Sequence, residues 1–439
     1  MALIVQKFGG SSVGTVGRIQ HVAEKVKKTR DEGHDVVVVL SAMHGETDRL
    51  IQLANAITGD PSPREYDSLV STGEQVSIAL LAMALNNNNC PAKSYTGYQI
   101  GILTDDIHTK ARILRIETDL IRSNLAQGEV VIIAGFQGIN TQGDITTLGR
   151  GGSDTTAVAL AAALKADECQ IYTDVEGVYT TDPRVIPQAQ LLSQVSFEEM
   201  LEMASLGAKV LQMRSVELGN QHNMPIRVLS TFSDHPGTLV TFESELMEKR
   251  LVSGIAFSRE EAIFSLSGVP NRAGIEGHIL NGISNANIEI DMIAQNATDN
   301  ETTDFTFTVQ RKDYPKAQKI VTNLAKELEA VSFKINAKVA KLSLVGIGMR
   351  SHSGVASKMF QALGKAGINI QMITTSEIKI SVVIDEEKLV NAVKIIHEAF
   401  ELDKIGGKTE TCHTLPFCES KDALDPVIPA NIGISPEGS

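Results

Sequence analysis

Residues 1–245 alternate short runs of branched apolar residues with longer segments in which apolar positions recur every three or four residues. Short apolar runs predict buried strands, and helical spacing predicts helices with one buried face. The predicted strands are 3–8, 35–40, 130–134, 170–173 and 226–229, and the clearest predicted helices are 16–29, 75–85, 154–165 and 197–206. This alternation predicts an α/β fold with a mostly parallel sheet covered by helices, which binds ligands at the carboxyl ends of its strands.

The pattern changes after residue 250, where the sequence repeats itself with an offset of 80 residues. Each copy reads as a strand, a glycine turn, a helix and a second strand. The identical pairs are Gly274 and Gly354, Ile288 and Ile368, Ile290 and Ile370, Met292 and Met372, and Ile293 and Ile373. Such a repeat predicts two small α+β modules side by side. The alternative is a single α+β domain whose strands only look alike.

These changes divide the chain into an α/β domain (1–245), a linker (246–262), two modules (263–341 and 342–404) and a C-terminal segment (405–439). The C-terminal segment lacks sustained periodicity and contains four of the 13 prolines, which predicts a flexible tail. Cys412, His413 and Cys418 lie in this tail. Their spacing matches no established zinc pattern, so we expect solvated thiols.

Composition narrows the possible functions. With 42% hydrophobic residues among 439, the chain is too apolar to be disordered. Its 40 basic and 53 acidic residues give a net charge of −13, which argues against nucleic-acid binding. The four cysteines form no CxxC pair, the apolar runs stop short of the ~18 residues of a membrane span, and no leader pattern precedes the first strand. We therefore expect a cytoplasmic protein that binds neither nucleic acid nor membrane.

Two glycine-rich turns each follow a strand region and precede a predicted helix. Residues 7–14 read Lys-Phe-Gly-Gly-Ser-Ser-Val-Gly, and residues 147–156 read Thr-Leu-Gly-Arg-Gly-Gly-Ser-Asp-Thr-Thr. The N–H groups of such turns can converge on an anion such as phosphate. The first turn is not the ATP P-loop, because it lacks the Lys-Ser/Thr that ends that motif, but Lys7 precedes its glycines. Either turn alone can be purely structural, but two such turns in one domain are a more specific indication of an anion site than either alone.

Three further features have both a structural and a functional interpretation. Ser153 or Asp154 can be a plain helix cap, although capping does not explain Arg150. In the run Ser-Thr-Gly-Glu-Gln at 71–75, Glu74 can be a solvated first-turn residue or a site carboxylate. The run 172–184 ends a strand in an Asp-rich loop, which can be a simple turn or a binding loop.

Taken together and in this order, residues 7–10, 71–74, 149–154 and 172–184 resemble the aspartate kinases. The resemblance covers roughly residues 1–404 and leaves the last 35 residues unmatched. It implies the amino-acid-kinase fold, followed by two ferredoxin-like ACT modules. Two alternatives stay open: a different kinase on the same fold, or a catalytically silent amino-acid sensor. The presence of Lys7, Glu74, Arg150 and Asp154 favours the enzyme.

The resemblance implies transfer of the γ-phosphoryl group of ATP to the β-carboxylate of L-aspartate, giving 4-phospho-L-aspartate. This is the first step of the diaminopimelate pathway to lysine, threonine and methionine. A carboxylate of pKa ~4 is already ionised at neutral pH, so no general base is needed. Catalysis then depends on positioning and on neutralising phosphate charge. Mg²⁺ is expected to arrive bound to ATP rather than to a protein site.

Site residues are also implied by the resemblance. The catalytic set is Lys7, Arg150 and Asp154, where Asp154 orients Lys7 or organises the magnesium–phosphate environment. The aspartate-binding positions are Ser41, Thr47, Glu74, Arg150 and Ser153. The ATP-binding positions are Lys7, Phe8, Gly9, Gly10, Ser11, Gly151, Gly152, Ser153, Thr173, Asp174, Tyr179, Arg184, Lys209 and Val210. We expect His44 to be a solvent-facing or satisfied loop residue rather than a substrate contact.

In this family the ACT modules bind lysine, threonine or both as feedback inhibitors, and they commonly associate into homodimers or larger homo-oligomers. The matching positions are Asn271, Ala273, Gly274, Glu276, Asp291, Gln295 and Asn296 in the first module and Ser353, Gly354, Asn369, Ile370, Thr374 and Thr375 in the second. The first module departs from the usual Asp-x-Pro-Gly turn at Asn271 and Ala273, and Glu276 replaces a small residue. We therefore expect weakened or altered inhibition through that module.

Overall fold

The computed structural model describes residues 1–206, 210–244, 247, 250–298 and 302–405, which belong to one compact unit. The helices are α1 (Val16–Asp31), α2 (Glu46–Ile57), α3 (Pro63–Val70), α4 (Thr72–Asn87), α5 (Asp119–Ala126), α6 (Gly152–Leu164), α7 (Phe197–Ser205), α8 (Met213–Gln221), α9 (Ile275–Ser284), α10 (Tyr314–Glu327), α11 (Val355–Lys365) and α12 (Leu389–Ala399). Short 3₁₀ helices lie at Arg311–Asp313, Ile347–Ser351, Glu386–Lys388 and Leu402–Lys404. The predicted tail beyond residue 405 lies outside the described residues, as do its two cysteines and its histidine.

Three sheets contain the strands. Those of the N-terminal half are β1 (Leu3–Phe8), β2 (Asp35–Leu40), β3 (Ala92–Tyr95), β4 (Ile102–Thr104), β5 (Ile113–Ile116), β6 (Val130–Ala134), β7 (Gln137–Ile139), β8 (Ile145–Thr147), β9 (Glu168–Thr173), β10 (Gln194–Ser196), β11 (Ile226–Ser230) and β12 (Thr238–Thr241). Those of the C-terminal half are β13 (Gly254–Pro270), β14 (Ile290–Ala297), β15 (Thr302–Gln310), β16 (Ser332–Val345), β17 (Ile370–Thr375) and β18 (Lys379–Asp385).

The largest sheet confirms the predicted α/β class. Its strand order is β10-β12-β11-β9-β1-β2-β6-β3, and its pairs are parallel except for β11 with β12. Phe8 pairs with both Leu40 and Tyr172, so the carboxyl ends of β1, β2 and β9 are level. The chain runs outward from β1 to β2 and returns to β9 on the other side. A crevice therefore opens at this edge of the sheet.

Both faces of this sheet are buried. Val37 and Val39 face a core that includes α6, whereas Val36 and Val38 face the core under α1 and α4. This double burial explains why β2 is an unbroken valine run rather than an alternating one. By length and composition, the stretch Pro63–Asn87 passes for a membrane span, the one such stretch in the part of the chain described. Its Ile78, Leu81 and Leu85 lie in the sheet core, as in core helices of globular domains.

A second, four-stranded sheet of order β5-β4-β7-β8 lies beside the parallel one. Sequence analysis did not predict it, because strands of three or four residues are too short to show a period. Its last strand, β8, leads directly into the second glycine-rich turn.

The C-terminal sheet has the order β14-β15-β13-β16-β18-β17 and shows the predicted repeat. Helix α9 and strand β14 are followed 80 residues later by α11 and β17, and residues 271–297 match residues 351–377 position by position in burial. Gly274 and Gly354 precede the two helices with φ of 90° and 93°, which a side chain would strain. The two modules have separate apolar cores against their helices.

Strands β13 and β16 are shared by the two modules. Gly254–Ser258 pairs with residues 341–345 of β16, and Ile263–Ser267 pairs with residues 332–336 of the same strand. The proposed boundaries at 262/263 and 341/342 thus fall inside strands, and the domain limits stay a prediction.

Candidate active site

The predicted phosphate and substrate motifs meet at the carboxyl edge of the parallel sheet. Lys7 lies near the end of β1, Ser41 follows β2, and Gly135 follows β6. Thr173 ends β9 and pairs with Ser230 of β11. Five neighbouring parallel strands therefore deliver loops to one crevice, which is where open α/β sheets bind ligands.

Lys7 and Asp154 form an ion pair in this crevice, with Lys7 Nζ 2.6 Å from Asp154 Oδ1. Each side chain is only 11% exposed. Asp154 lies in the first turn of α6, where the partial positive charge of the helix favours a carboxylate. A Cβ at Gly9 would lie 3.4 Å from Lys7 Nζ, so the glycine lets the ammonium lie against the turn. An ammonium held in this way is available to a phosphate anion.

The first glycine-rich turn is fixed by contacts to neighbouring strands. Gly9 N–H donates to Tyr172 O (3.3 Å), and the buried hydroxyls of Ser12 and Thr231 are hydrogen-bonded at 2.6 Å. A Cβ at Gly10 would lie 3.0 Å from Ala42 O. Sequence analysis missed Ser12 and Thr231, since only the tertiary fold brings them together across 219 positions.

The second turn has two glycines in the left-handed region, Gly149 (φ 79°) and Gly151 (φ 74°). A Cβ at Gly151 would lie 1.8 Å from Gln212 Cγ, so a side chain has no room there. Ser153 packs against Gly135, where a Cβ would lie 2.7 Å from its hydroxyl oxygen. Arg150 is exposed, and its guanidinium makes no hydrogen bond or ion pair with any described residue. It can therefore pair with a ligand carboxylate.

Glu74 supplies a complementary group in the first turn of α4. It is 3% exposed, and Ala42 N–H donates to its Oε1 (3.1 Å). Its Oε2 is buried and has no hydrogen-bond partner among the residues described. Burial raises the pKa of Glu74 to about 7, against its ordinary 4.5. A buried carboxylate oxygen without a donor is costly, and a ligand ammonium would satisfy it.

The predicted nucleotide loop has mostly internal contacts. Thr173 Oγ1 donates to Asp174 Oδ1 (3.1 Å), and Tyr179 Oη donates to Glu176 Oε2 (3.1 Å). The exposed Arg184 forms a bidentate pair with Asp182 and lowers the pKa of that carboxyl. No described hydrogen bond or ion pair joins Tyr179 or Arg184 to Lys7 or Asp154. The half-buried Val210 packs against the sheet core, and Lys209 lies outside the described residues.

Two other predicted positions have clear environments. Thr47 is half-buried in the first turn of α2. His44 is exposed, and its Cβ lies 3.0 Å from the place that a Cβ at Gly14 would occupy. This agrees with a solvent-facing loop histidine. Sequence analysis also missed Asp67, a fully buried carboxylate on α3 that has no distinct local signal, since it stands two residues after Glu65 in the mixed segment Pro-Arg-Glu-Tyr-Asp-Ser-Leu-Val.

In the first regulatory module, Gln295 Nε2 donates to Glu276 Oε1 (2.8 Å) and lowers the pKa of Glu276. Asp291 contacts the ammonium of Lys341. In the second module Ile370 packs against the core. The other predicted effector positions, which are partly or fully exposed, are Asn271, Ala273, Gly274, Asn296, Ser353, Gly354, Asn369, Thr374 and Thr375.

Comparison with known proteins agrees with this fold and site. A family model described as the Amino acid kinase family matches residues 2–230, and one described as an ACT domain matches residues 342–400. Fold and site thus define an amino acid kinase with a C-terminal ACT region. The aspartate kinase of Pseudomonas fluorescens SBW25 is 64% identical over 406 residues, 92% of this chain and 98% of its own.

Two solved structures of Escherichia coli aspartokinase III are also similar, each 27% identical. The complex with aspartate and ADP has a TM-score of 0.74 and covers 90% of this chain and 99% of that one. The complex with lysine and aspartate has a TM-score of 0.72 and covers 91% and 99%. The chain therefore belongs to the aspartate kinase family, as an ATP-dependent kinase.

Proposed function

We propose that the chain transfers the γ-phosphoryl group of ATP to the β-carboxylate of L-aspartate, as the first step of the diaminopimelate pathway. A β-carboxylate oxygen attacks the γ-phosphorus, the bond to the β-phosphate oxygen breaks, and ADP leaves with its electron pair. No proton is transferred. The observation that carries this proposal is that Glu74 has a buried oxygen without a hydrogen-bond partner and Arg150 has a guanidinium without one, both among the described residues. An α-amino acid has the ammonium and the carboxylate that fit these two groups.

The proposed aspartate site combines those two residues with neutral neighbours. Glu74 binds the α-ammonium, and Arg150 binds the α-carboxylate with its planar fork. Ser41, Thr47 and Ser153 line the site. Ser41 is tied to the Glu74 helix because Ser77 Oγ donates to its carbonyl (2.8 Å). The crystal complex of Escherichia coli aspartokinase III with aspartate and ADP supports this choice of substrate.

On the phosphate side, we propose that Lys7 neutralises the transferring group while Gly9, Gly10 and Ser11 surround it. The short Lys7–Asp154 contact favours the orienting role for Asp154 over a role in metal binding. Mg²⁺ enters as part of the MgATP substrate, since this ion prefers phosphate oxygens and water. Phe8, Gly151, Gly152, Thr173, Asp174, Tyr179, Arg184, Lys209 and Val210 complete the proposed nucleotide site.

We further propose that lysine, threonine or both inhibit the enzyme through the ACT modules, and that the second module acts on the nucleotide side. Glu199 Oε1, on α7, accepts from Ser253 Oγ (2.6 Å) and from Ile347 N–H (3.0 Å) of the second module. Thr180, in the nucleotide loop, is hydrogen-bonded to His397 of α12 (3.1 Å). A shift of the module would therefore move both segments. The lysine complex of Escherichia coli aspartokinase III supports lysine as an effector.

The first module is proposed to respond more weakly. Gln295 already engages Glu276, and Lys341 already contacts Asp291, so two carboxylates that could receive an effector ammonium are occupied. Assembly into homodimers or larger homo-oligomers and a cytoplasmic location stay predictions.

The proposal is tested by trapping the acyl phosphate with hydroxylamine in reactions with MgATP and either L-aspartate or L-glutamate, each with lysine, threonine or both. We expect turnover with aspartate but not with glutamate, and we expect at least one effector to reduce the turnover with aspartate. Turnover with glutamate only, or with neither amino acid, would contradict the proposed substrate. Full activity in the presence of every effector would contradict only the regulatory part.

A further inference from the structure

Asp67, on α3, is a carboxylate with no exposed surface that bonds to two segments beside the substrate end of the site. Its Oδ2 accepts from His108 Nδ1 (2.9 Å), Thr109 N–H (2.9 Å) and Thr147 N–H (3.1 Å). Its Oδ1 accepts from the Thr147 hydroxyl (2.6 Å). A carboxylate this deeply buried is tolerated only when hydrogen bonds satisfy both oxygens, and these four do so.

A short stretch of backbone links these hydrogen bonds to Arg150. Thr147 ends β8 and lies three residues before Arg150. Between them Gly149 adopts φ 79°, and a Cβ there would lie 3.0 Å from Thr109 O. Asp67 therefore holds the strand that delivers Arg150 and also the backbone against which the intervening turn packs.

The same carboxylate is linked to Glu74 through its own helix. Glu74 follows Asp67 by seven residues, about two helical turns, across the short break between α3 and α4. At that break, Gln137 Nε2 donates to Ser71 O (2.8 Å), which fixes the junction to the strand β7. One buried group thus connects the elements that carry the two charged residues of the proposed aspartate site.

We propose that Asp67 is a positioning residue that sets the placement of Arg150 relative to Glu74, and thereby the affinity for the amino-acid substrate. This inference rests on the proposed function, in which those two residues bind the α-carboxylate and the α-ammonium. Asp67 acts through the turn and does not contact substrate. Its loss should therefore weaken aspartate binding more than nucleotide binding, because Gly151 and Gly152 of the proposed nucleotide site pack against Gln212 and Phe136 rather than against the Asp67 network.

The test compares Thr147→Val, which removes the hydroxyl bond to Asp67, with Thr147→Ser, which keeps it. Asp67→Asn is made in parallel, and a thermal melt checks folding of each variant. We expect Thr147→Val to raise the KM for aspartate about tenfold, because small misplacements of a substrate clamp have large effects. The KM for ATP should change less than about twofold, and Thr147→Ser should restore the wild-type KM for aspartate.

Arg150→Ala, alone and combined with Thr147→Val, separates this inference from the proposed function. If Asp67 acts through Arg150, the double variant should be no worse than Arg150→Ala. If Arg150→Ala raises the KM for aspartate but Thr147→Val does not, or if their effects add, the positioning role is refuted and the proposed site stands. Equal rises of both KM values in Thr147→Val would also refute it. An unchanged KM in Arg150→Ala would overturn both proposals.

Discussion

Glu74→Gln should make the free protein more stable while it weakens catalysis. The substitution keeps the shape of the side chain and the acceptor for Ala42 N–H, but it removes the buried charge. In the folded protein the pKa of Glu74 is about 7, compared with an ordinary 4.5. A difference of this size corresponds to about 3 kcal/mol between the two protonation states. Ionised Glu74 therefore destabilises the ligand-free protein by about that amount.

The sign of the pH dependence follows from the raised pKa. Between pH 4.5 and 7 the folded state holds the Glu74 proton and the unfolded state releases it. Unfolding thus becomes easier as pH rises through this window, with no further change above it. In Glu74→Gln this contribution is absent. The difference in unfolding free energy between variant and wild type should grow by about 3 kcal/mol from pH 4.5 to pH 8.

Urea unfolding followed by circular dichroism at pH 5, 6, 7 and 8 measures this difference, and kinetics gives the functional counterpart. In the wild type, kcat/KM for aspartate should rise about tenfold per pH unit below pH 7 and level off above it. Glu74→Gln should lose this dependence and fall roughly 10- to 150-fold at pH 8, the loss of one charged hydrogen bond. A difference in unfolding free energy between the two proteins that stays the same from pH 5 to pH 8 would refute the reasoning.

Three further outcomes are expected. Asp154→Asn should lower kcat by about 100-fold, because the Lys7 ammonium loses its orienting partner, and should also lower the melting temperature, because the buried ammonium loses its counter-charge; an unchanged kcat would contradict that role. Gly151→Ala should cost of order 1–3 kcal/mol of stability in thermal melts, since φ is 74° and no space exists for a Cβ. Gly59→Ala is the control, because this open position should tolerate alanine. Equal melting temperatures for the two variants would count against the turn geometry. Asn271→Asp/Glu276→Ala should lower the effector concentration for half-inhibition, and superimposable curves would dismiss the proposed weakening.

Much of the fold could be predicted from the sequence because its central strands are buried on both faces. The runs at 3–8, 35–40 and 130–134 match β1, β2 and β6 residue for residue, and the 80-residue repeat reappears in helices and strands. The small sheet β5-β4-β7-β8 was missed, since three-residue strands have no measurable period. The module boundaries were equally hidden, because one strand, β16, pairs with two partners along its length.

The residues of the candidate site likewise fall into those that a local motif reveals and those that only the fold brings together. Lys7, Arg150 and Glu74 stand in local motifs, and a motif can be read from one stretch of chain. The Ser12–Thr231 bond and the Asp67 network join residues 41 to 219 positions apart, which no local pattern records. The unpartnered Oε2 of Glu74 is also a property of burial, since a solvated glutamate in the same motif would look identical in sequence.

The central claim is that Glu74 and Arg150 recognise the two ends of an α-amino acid. The most direct measurement is kcat/KM for L-aspartate and for succinate, which lacks the α-ammonium, in wild type and in Glu74→Gln. We expect wild type to prefer aspartate by at least about tenfold, the value of one charged hydrogen bond, and Glu74→Gln to lose most of that preference. A Glu74→Gln enzyme that prefers aspartate as strongly as wild type would contradict the account.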